Sequence, residues 1–222
     1  MALVTEPELE RTAGPPARVR IVGRAVTASV ARAPWLWPLL RRPTASYFDD
    51  RAVGWDERTG APGADHLAPL AVGVTKIDRR PERALDIGTG TGVAALFLAR
   101  EFPRASIRGV DISAEMIHQA KSKVGLDPEG RVAFRVADAA ALPYEDGHFD
   151  LVTQLNMPPF FAEIARVLRH DGYAIIAASS GDRTPFFTPD AVLRRGFERH
   201  GMISVKADRT GSGSYFVARK ER

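Results

Sequence analysis

The chain contains no cysteine, few lysines and no long apolar run. The absence of cysteine from 222 residues excludes disulfides, a thiolate nucleophile and a metal centre held by cysteine. No apolar run is long enough to cross a bilayer, and an N-terminus with Glu6, Glu8 and Glu10 lacks the profile of a signal peptide. We therefore expect a soluble cytoplasmic protein with no transmembrane segment.

Positive charge comes almost entirely from arginine. The chain has five lysines, and its net charge is +4 with a pI near 9.7. Beyond the N-terminal arm the arginines are interleaved with acids, and such a scattered excess bears on solubility more than on a partner. We do not expect nucleic-acid binding. An RNA-modifying enzyme that uses the basic arm as its electrostatic footprint is the alternative.

Composition divides the chain into three segments of what we expect to be a single domain overall. Residues 1–17 are rich in Pro, Gly and Glu and are predicted to be a disordered tail. Residues 18–80 are predicted to form a helical arm or cap. Residues 81–222 then carry the core.

The arm begins with a basic amphipathic pattern that predicts a helix ending before Pro34. One helical face carries four valines: Val19, Val22, Val26 and Val30. The other carries three arginines: Arg20, Arg24 and Arg32. The valines either pack on the domain or on a second subunit, so that the protein is a monomer or a homodimer, or the helix contacts an anionic membrane, with Trp35 and Trp37 as interfacial anchors. The stripe is short and rich in small residues, which favours packing.

A glycine-rich turn follows the first predicted strand, Glu82 to Ile87. Its glycines are Gly88, Gly90 and Gly92, and Val93 to Arg100 is typical of a helix. Such a turn exposes backbone N–H groups at the positive end of a helix and admits a ligand close to the backbone. A dinucleotide fingerprint needs its third glycine at the place that Val93 occupies, so the spacing disfavours nicotinamide and flavin cofactors.

A second strand, predicted over Ser106 to Ile112, brings an acid to the same region. Asp111 follows Gly92 by 19 residues. An acid at the end of the second strand of a βαβ unit can accept hydrogen bonds from both ribose hydroxyls of an adenosine. Ser113 can cap the next helix by itself, so Asp111 is not needed as the cap.

Four runs follow one another along the chain: Asp86-Ile-Gly-Thr-Gly-Thr-Gly, Gly109-Val-Asp-Ile-Ser, Ala137 to Asp150 with its Leu-Pro-Tyr-x-Asp-x-x-Phe-Asp pattern, and Glu163-Ile-Ala-Arg-Val-Leu to Gly172. In this order they resemble the motifs of class I S-adenosylmethionine-dependent methyltransferases, and in particular of the broad family that includes the ubiquinone and menaquinone methyltransferases. The resemblance extends from about Tyr47 to Arg219. It implies a doubly wound, Rossmann-like α/β fold with seven mostly parallel strands, a C-terminal antiparallel hairpin and an N-terminal helical cap.

The resemblance also implies S-adenosyl-L-methionine as cofactor and assigns its contacts. The methionine portion would lie on Asp86, Gly88, Thr89, Gly90 and Gly92. The ribose would lie on Asp111 and Ile112, the adenine on Asp138 and Ala139. Tyr47 and Trp55 are the aromatic candidates that would close over the methionine end. Gln154 and Leu155 end the fourth strand, beside the crevice where doubly wound sheets bind ligands.

The chain departs from these relatives after Leu155, where the loop and helix start are shortened to Asn156-Met157-Pro158-Pro159. The run resembles the Asn-Pro-Pro-aromatic motif with which amino-directed methyltransferases hold a planar amine, but Met157 interrupts it. A proline pair at a helix start is already explained by N-terminal geometry. The short segment leaves a second alternative, a cofactor-binding protein without catalytic activity.

The function expected from the resemblance is methyl transfer to an oxygen, nitrogen or carbon atom of a small-molecule acceptor. In-line displacement mainly requires that nucleophile, methyl and sulfur be held collinear in a dry pocket. The candidate bases are the five histidines: His66, His118, His148, His170 and His200. A solvated or structural role fits each of them better, so no catalytic residue and no metal ligand is assigned.

Overall fold

The computed structural model describes residues 16–61, 63–125, 127 and 129–221, so the predicted N-terminal tail lies almost wholly outside the described residues. The helices are α1 (Ala17–Arg32), α2 (Trp37–Asp49), α3 (Trp55–Thr59), α4 (Ala64–Val74), α5 (Val93–Glu101), α6 (Ala114–Ser122), α7 (Phe161–Val167) and α8 (Asp190–Glu198). The strands are β1 (Arg83–Ile87), β2 (Ser106–Asp111), β3 (Val132–Val136), β4 (Phe149–Leu155), β5 (Leu168–Ala178), β6 (Met202–Thr210) and β7 (Gly213–Lys220). Short 3-10 turns cover Pro34–Leu36 and Gly181–Arg183.

The strands form one seven-stranded sheet in the order β3-β2-β1-β4-β5-β7-β6. Strands β1 to β5 are parallel, whereas β7 runs antiparallel to β5 and β6 antiparallel to β7. The doubly wound sheet and its terminal hairpin are therefore confirmed. The strand order reverses beside β1, which places the carboxyl ends of β1, β2 and β4 around one crevice.

Both faces of the sheet are covered, and the arm covers part of one of them. On one face, α4, α5 and α6 contribute Leu70, Leu98 and Ile117 to a core with strand residues such as Ile107 and Leu151. On the other face, α7 and α8 pack together with Val30 and Trp37 of the arm. Residues 137–148, which connect β3 to β4, contain no helix in the structure. The arm thus covers part of the sheet face on which the β3–β4 connection places no helix.

Strand β5 begins earlier than the sequence predicts. The apolar spacing of Phe160, Ile164, Val167 and Leu168 predicts that Leu168 lies on the preceding helix, but α7 ends at Val167 and Leu168 pairs with Phe149 of β4. Leu168 is fully buried, so strand pairing and core packing override the helical pattern. The pairing then shifts register before Tyr173. The apolar run Tyr173 to Ala178 predicts a strand that starts at Tyr173, which is wrong by five residues.

Helix α1 ends at Arg32, as predicted before Pro34, but it docks through only part of the valine stripe, Val26 and Val30. Its buried residues are Gly23, Thr27 and Val30, whereas Val22 is 63% exposed. Gly23 approaches Pro185 so closely that a Cβ would lie 2.7 Å from the proline Cβ. The closest approach is made by a residue without a side chain, which a pattern of apolar residues cannot reveal. No helix in the described part of the chain combines the length and apolar composition of a membrane-spanning segment.

This close approach predicts that Gly23→Leu destabilises the protein. The larger side chain meets the backbone of Pro185, and overpacking of this kind costs about 1–3 kcal/mol. Ala25→Leu, on the exposed side of the same helix, is the matched control and should be nearly neutral, because alanine and leucine have similar helix propensities. Urea denaturation of both variants measures the free energies of unfolding. Equal values would contradict docking through Gly23.

Candidate cofactor and active site

Three carboxylates lie near the carboxyl ends of neighbouring strands, at one edge of the sheet. Asp86 lies in β1, Asp111 is the last residue of β2, and Asp138 is the second residue after β3. Because these strands are parallel and adjacent, their carboxyl ends meet at the same edge. The structure therefore brings together the three acids that the sequence selected separately.

Asp86 is buried and only partly satisfied. One carboxylate oxygen, Oδ1, accepts a hydrogen bond from the Thr153 hydroxyl at 2.8 Å, and Asp86 faces Thr153 in the β1–β4 register. Burial raises the pKa of Asp86 to about 6, against the opposing effect of nearby hydroxyls. Thr89 lies near enough to lower this pKa, but neither Asp86 Oδ2 nor the Thr89 hydroxyl has a partner in hydrogen-bond geometry among the described residues. A cationic ligand would relieve this desolvated carboxylate.

Asp111 accepts backbone hydrogen bonds from both sides of the crevice. Its Oδ2 accepts from the Gly90 N–H at 2.8 Å, and its Oδ1 accepts from the Ser113 N–H at 2.9 Å. Burial raises the pKa of Asp111, and these backbone donors oppose the rise. Ser113 caps α6, since its hydroxyl accepts from Met116 N–H at 3.1 Å, as the sequence predicted. Each carboxylate oxygen of Asp111 keeps a further lone pair for a ligand.

Asp138 is held by the arm. Its Oδ1 accepts from the Trp37 indole N–H at 2.7 Å and from the Ala140 N–H at 2.9 Å. Arg41 of α2 lies 3.6 Å from Oδ2. The Trp37 ring is buried edge-on against Phe160, with ring centroids 5.1 Å apart. Sequence reasoning gave Trp37 the same role as Trp35, but Trp37 is 5% exposed and Trp35 72%.

The glycines of the turn differ in what they face. All three have positive φ, 69° at Gly88, 53° at Gly90 and 84° at Gly92. A Cβ on Gly92 would lie 2.7 Å from the Phe134 ring, so this glycine makes room for the core. A Cβ on Gly88 would lie 2.1 Å from the Met157 sulfur, whereas one on Gly90 meets nothing within 4 Å. Gly90 is therefore the open position of the turn.

Two acids of the arm segment, neither selected from the sequence, bind the neighbouring turns. Asp49 accepts from the Ser113 hydroxyl at 2.5 Å and from the Glu115 N–H at 3.2 Å. Asp56 accepts from the Thr91 hydroxyl at 2.5 Å and pairs with Lys123. Together with Trp37, these residues tie the arm to the loops after β1, β2 and β3. In the sequence, the only indication of these two residues was that each is an acid close to one of the aromatic candidates.

Those aromatic candidates belong to a cluster at the end of α2. Phe48 lies between Tyr47 and Trp55, with ring centroids 5.3 and 5.6 Å away, and 6.1 Å from Phe186. The Arg51 guanidinium stacks over the Tyr47 ring at 4.0 Å. The structure therefore packs Tyr47 and Trp55 on Phe48.

The end of β4 carries a buried polar side chain. Gln154 donates from Nε2 to the Pro158 carbonyl at 3.3 Å, and its Oε1 has no partner among the described residues. Leu155 packs partly on the face covered by α4, α5 and α6. Ile112 and Ala139 contribute to the opposite face.

Asn156 has a structural role that its motif did not reveal. Its φ of 59° is left-handed, which is uncommon for a residue other than glycine. The side chain donates to the Ser179 hydroxyl at 2.9 Å and accepts from the Ser179 N–H at 2.8 Å. It thereby joins the ends of β4 and β5. This engagement disfavours amine recognition by Asn156.

Two of the five histidines lie near the amino ends of the strands, away from the three carboxylates. His148 stacks on Tyr144 just before β4, and His170, near the start of β5, is hydrogen bonded to the Glu221 carbonyl at 3.0 Å. On helix α4, burial lowers the pKa of His66. No group of three or more potential metal ligands occurs among the residues that the structure describes.

Comparisons with known proteins agree with this geometry. A family model described as a methyltransferase domain matches residues 84–172. The ubiquinone/menaquinone biosynthesis C-methyltransferase UbiE of Geotalea uraniireducens is 39% identical over 114 residues, which cover 47% of this chain and 48% of that protein. The malonyl-[acyl-carrier protein] O-methyltransferase of Geobacter sulfurreducens is 44% identical over 99 residues, covering 41% and 36%. The chain thus spans about half or less of the length of these curated relatives.

The fold is that of solved methyltransferases. A SAM-dependent methyltransferase from Aquifex aeolicus superposes with a TM-score of 0.62 at 18% identity, over 77% of this chain and 97% of that one. The strand order and the crevice define a Rossmann-like fold of the kind found in that methyltransferase. Together with the match of residues 84–172 to a methyltransferase domain, these similarities support a class I S-adenosylmethionine-dependent methyltransferase.

The burial of Asp86 predicts a pH-dependent cost. The folded protein holds the Asp86 proton up to about pH 6, whereas the unfolded chain releases it near 3.8. Stability is therefore lost as the pH rises through this window, by at most about 3 kcal/mol. Asp86→Asn keeps an acceptor for Thr153 and should become more stable than the wild type by this amount at pH 7.

Urea denaturation between about pH 4 and 7 measures the difference. It should be small at pH 4 and grow as the pH rises. The exposed Asp50→Asn serves as control and should follow the wild type at every pH. An Asp86→Asn curve parallel to the wild-type curve would contradict a raised pKa.

Proposed function

We propose that this protein transfers a methyl group from S-adenosylmethionine to a small, largely apolar acceptor. The observation that carries the proposal is the meeting of Asp86, Asp111 and Asp138 beside the open Gly90, at the edge where the strand order reverses. Three separate acceptors at one edge match a cofactor with a cationic end, a diol and an amino group.

The described residues fit this cofactor. The unpartnered Oδ2 of Asp86 would receive the ammonium group, directly or through water, and the N–H groups of the turn would hold the carboxylate. Asp111 would accept from the ribose hydroxyls through its remaining lone pairs. Asp138 would accept from the adenine amino group through Oδ2, because its Oδ1 is already bonded to Trp37 and Ala140. When bound, the cofactor supplies a methyl group activated by the sulfonium.

Positioning would account for the catalysis, because we identify no general base among the residues that the structure describes. The residues of the crevice hold the reactants in line and exclude water. The arm contributes by closing over the loops to which Trp37, Asp49 and Asp56 bind. Access of water to the reacting centre would depend on these anchors.

The acceptor would approach from the ends of β4 and β5. A small cavity there is lined mainly by apolar side chains, among them Met157, Ile176, Phe186, Phe187 and Leu193. One polar group in the lining, the buried Thr188 hydroxyl, has no partner among the described residues. The cavity, with a volume of about 10 Å³, has room for about one water molecule, so an acceptor would have to displace part of this mainly apolar lining. Carbon and oxygen acceptors both occur in the names of the relatives.

Calorimetry tests the cofactor. S-adenosylmethionine or S-adenosylhomocysteine should bind and NADH should not. Asp111→Ala removes the charged acceptor of the ribose hydroxyls and should weaken cofactor binding by roughly 2–4 kcal/mol. Asp208→Ala, on the edge strand β6, is the control. Unchanged affinity in a folded Asp111→Ala protein would remove Asp111 from the site, and methyl transfer to a panel of acceptors tests the activity itself.

The contact between the arm and Asp138 gives a separate prediction. Trp37→Phe keeps the ring packing on Phe160 but removes the N–H that orients Asp138, so cofactor affinity should fall by about tenfold. The exposed Trp35→Phe is the matched control and should bind as the wild type does. Tighter binding by Trp37→Phe would instead mean that Trp37 competes with the cofactor for Asp138.

A further inference from the structure

The outward side of helix α1 is apolar, although the helix is already docked through its other side. Ile21 is 68% and Val22 63% exposed, and neighbouring Ala25 is exposed as well. The docked side is closed by Gly23, Thr27 and Val30. Packing on this domain therefore leaves large aliphatic side chains of the helix in water, where they gain no burial energy.

The turn from α1 to α2 repeats this arrangement. Trp35 is 72% and Leu39 73% exposed, and Leu36 between them is also exposed. The intervening Trp37 points inward to Asp138. Elsewhere in the described chain, Val53 is as exposed as these residues, at 74%, whereas Tyr47, Val136 and Val205 are 36–49% exposed. The exposed apolar side chains are thus concentrated in residues 21–39.

The same stretch carries the whole basic excess of the protein. Residues 16–48 contain six arginines and no acid, so their net charge is +6, while the whole chain has +4 and its remainder therefore −2. Four of these arginines are exposed: Arg18, Arg32, Arg41 and Arg42. Arg24 and Arg41 are engaged within the protein, because Arg24 binds the carbonyls of Asp182 and Phe187 and Arg41 lies 3.6 Å from Asp138. We name the exposed side of residues 16–48 the basic apolar face.

An anionic lipid surface complements both properties of this face. Exposed arginines meet lipid phosphates, while tryptophan and leucine side chains enter the boundary between headgroups and acyl chains. A nucleic acid would pair with the arginines but leave the aliphatic side chains without a partner. A second copy joined by a two-fold axis would bring the arginines of one face towards those of the other.

We infer that the basic apolar face docks the protein on anionic membranes. Trp35 and Leu39 insert at the interface, and Arg18, Arg32 and Arg42 contact the phosphates. This inference goes beyond the proposed methyl transfer and does not depend on it. It has a consequence for the site, since α2 carries Leu39 on the outside and, at its first residue, the Trp37 that binds Asp138. Membrane docking would thus place the cofactor edge of the sheet close to a lipid-dissolved acceptor.

Vesicle flotation with the full chain tests the inference. The protein should bind vesicles of phosphatidylcholine with about 30% phosphatidylglycerol but not pure phosphatidylcholine, and about 0.5 M NaCl should release most of it. The double variant Trp35→Ser/Leu39→Ser should lower the partition coefficient by at least about tenfold. Val205→Ser, at an exposed valine of strand β6, is the matched control and should bind as the wild type does.

Tryptophan emission gives an independent reading. The wild type should show a blue shift on anionic vesicles, and Trp35→Phe should abolish it. Arg32→Gln/Arg42→Gln should lower binding to anionic vesicles without changing emission in free solution. Calorimetry with S-adenosylhomocysteine separates this inference from the proposed function, because all these variants should bind the cofactor as the wild type does.

Three results would overturn the inference. The first is no binding to anionic vesicles at low salt. The second is binding that the Trp35→Ser/Leu39→Ser variant retains in full, since arginines alone would then explain it, as they would explain binding to RNA. The third is a dimer in light scattering that the same variant converts to a monomer, since the apolar residues would then be an interface between copies.

Discussion

Parallel pairing of β1 with β2 and β4 is the constraint on which the site depends. It sets Asp86 opposite Gly109 on one side and Thr153 on the other, and it brings Asp111 to the same edge. The arrangement leaves a carboxylate where water cannot reach it, and the raised pKa of Asp86 reflects that desolvation. Unsatisfied charge of this kind is retained at sites that gain a partner on binding.

The arm depends on the same edge. Trp37, Asp49 and Asp56 each bind the loop that follows a different strand, so the arm is tied to all three loops around the crevice. Since Asp138 is shared between the arm and the proposed adenine site, the position of the arm and cofactor affinity would be linked. The opposite side of the arm carries the basic apolar face. One segment would thereby connect a lipid surface with the reacting centre.

The parts shared with relatives and the parts particular to this chain have different roles. The matched domain covers residues 84–172 and contains the three carboxylates and the glycine turn. The arm and the segment around Phe186 and Thr188 lie outside it, and these line or cover the proposed acceptor side. Relatives named for carbon and for oxygen methylation both match this chain. Under the proposed function, acceptor choice would depend on the segments outside the matched domain.

The sequence alone determined the sheet, its terminal hairpin and the order of the cofactor motifs, because period, glycine spacing and strand-end acids are local properties of the chain. The predictions from the sequence were wrong where a structural feature depends on contacts with residues far away in the chain. Strand β5 takes Leu168 because Phe149 pairs with it, and α1 docks through Gly23 because Pro185 approaches there. Trp35 and Trp37 cannot be told apart from the sequence. Only the tertiary structure shows that Trp37 binds Asp138 whereas Trp35 is exposed to solvent. The physical reason is that burial of a side chain is decided by contacts from residues far away in the chain, which no local pattern encodes.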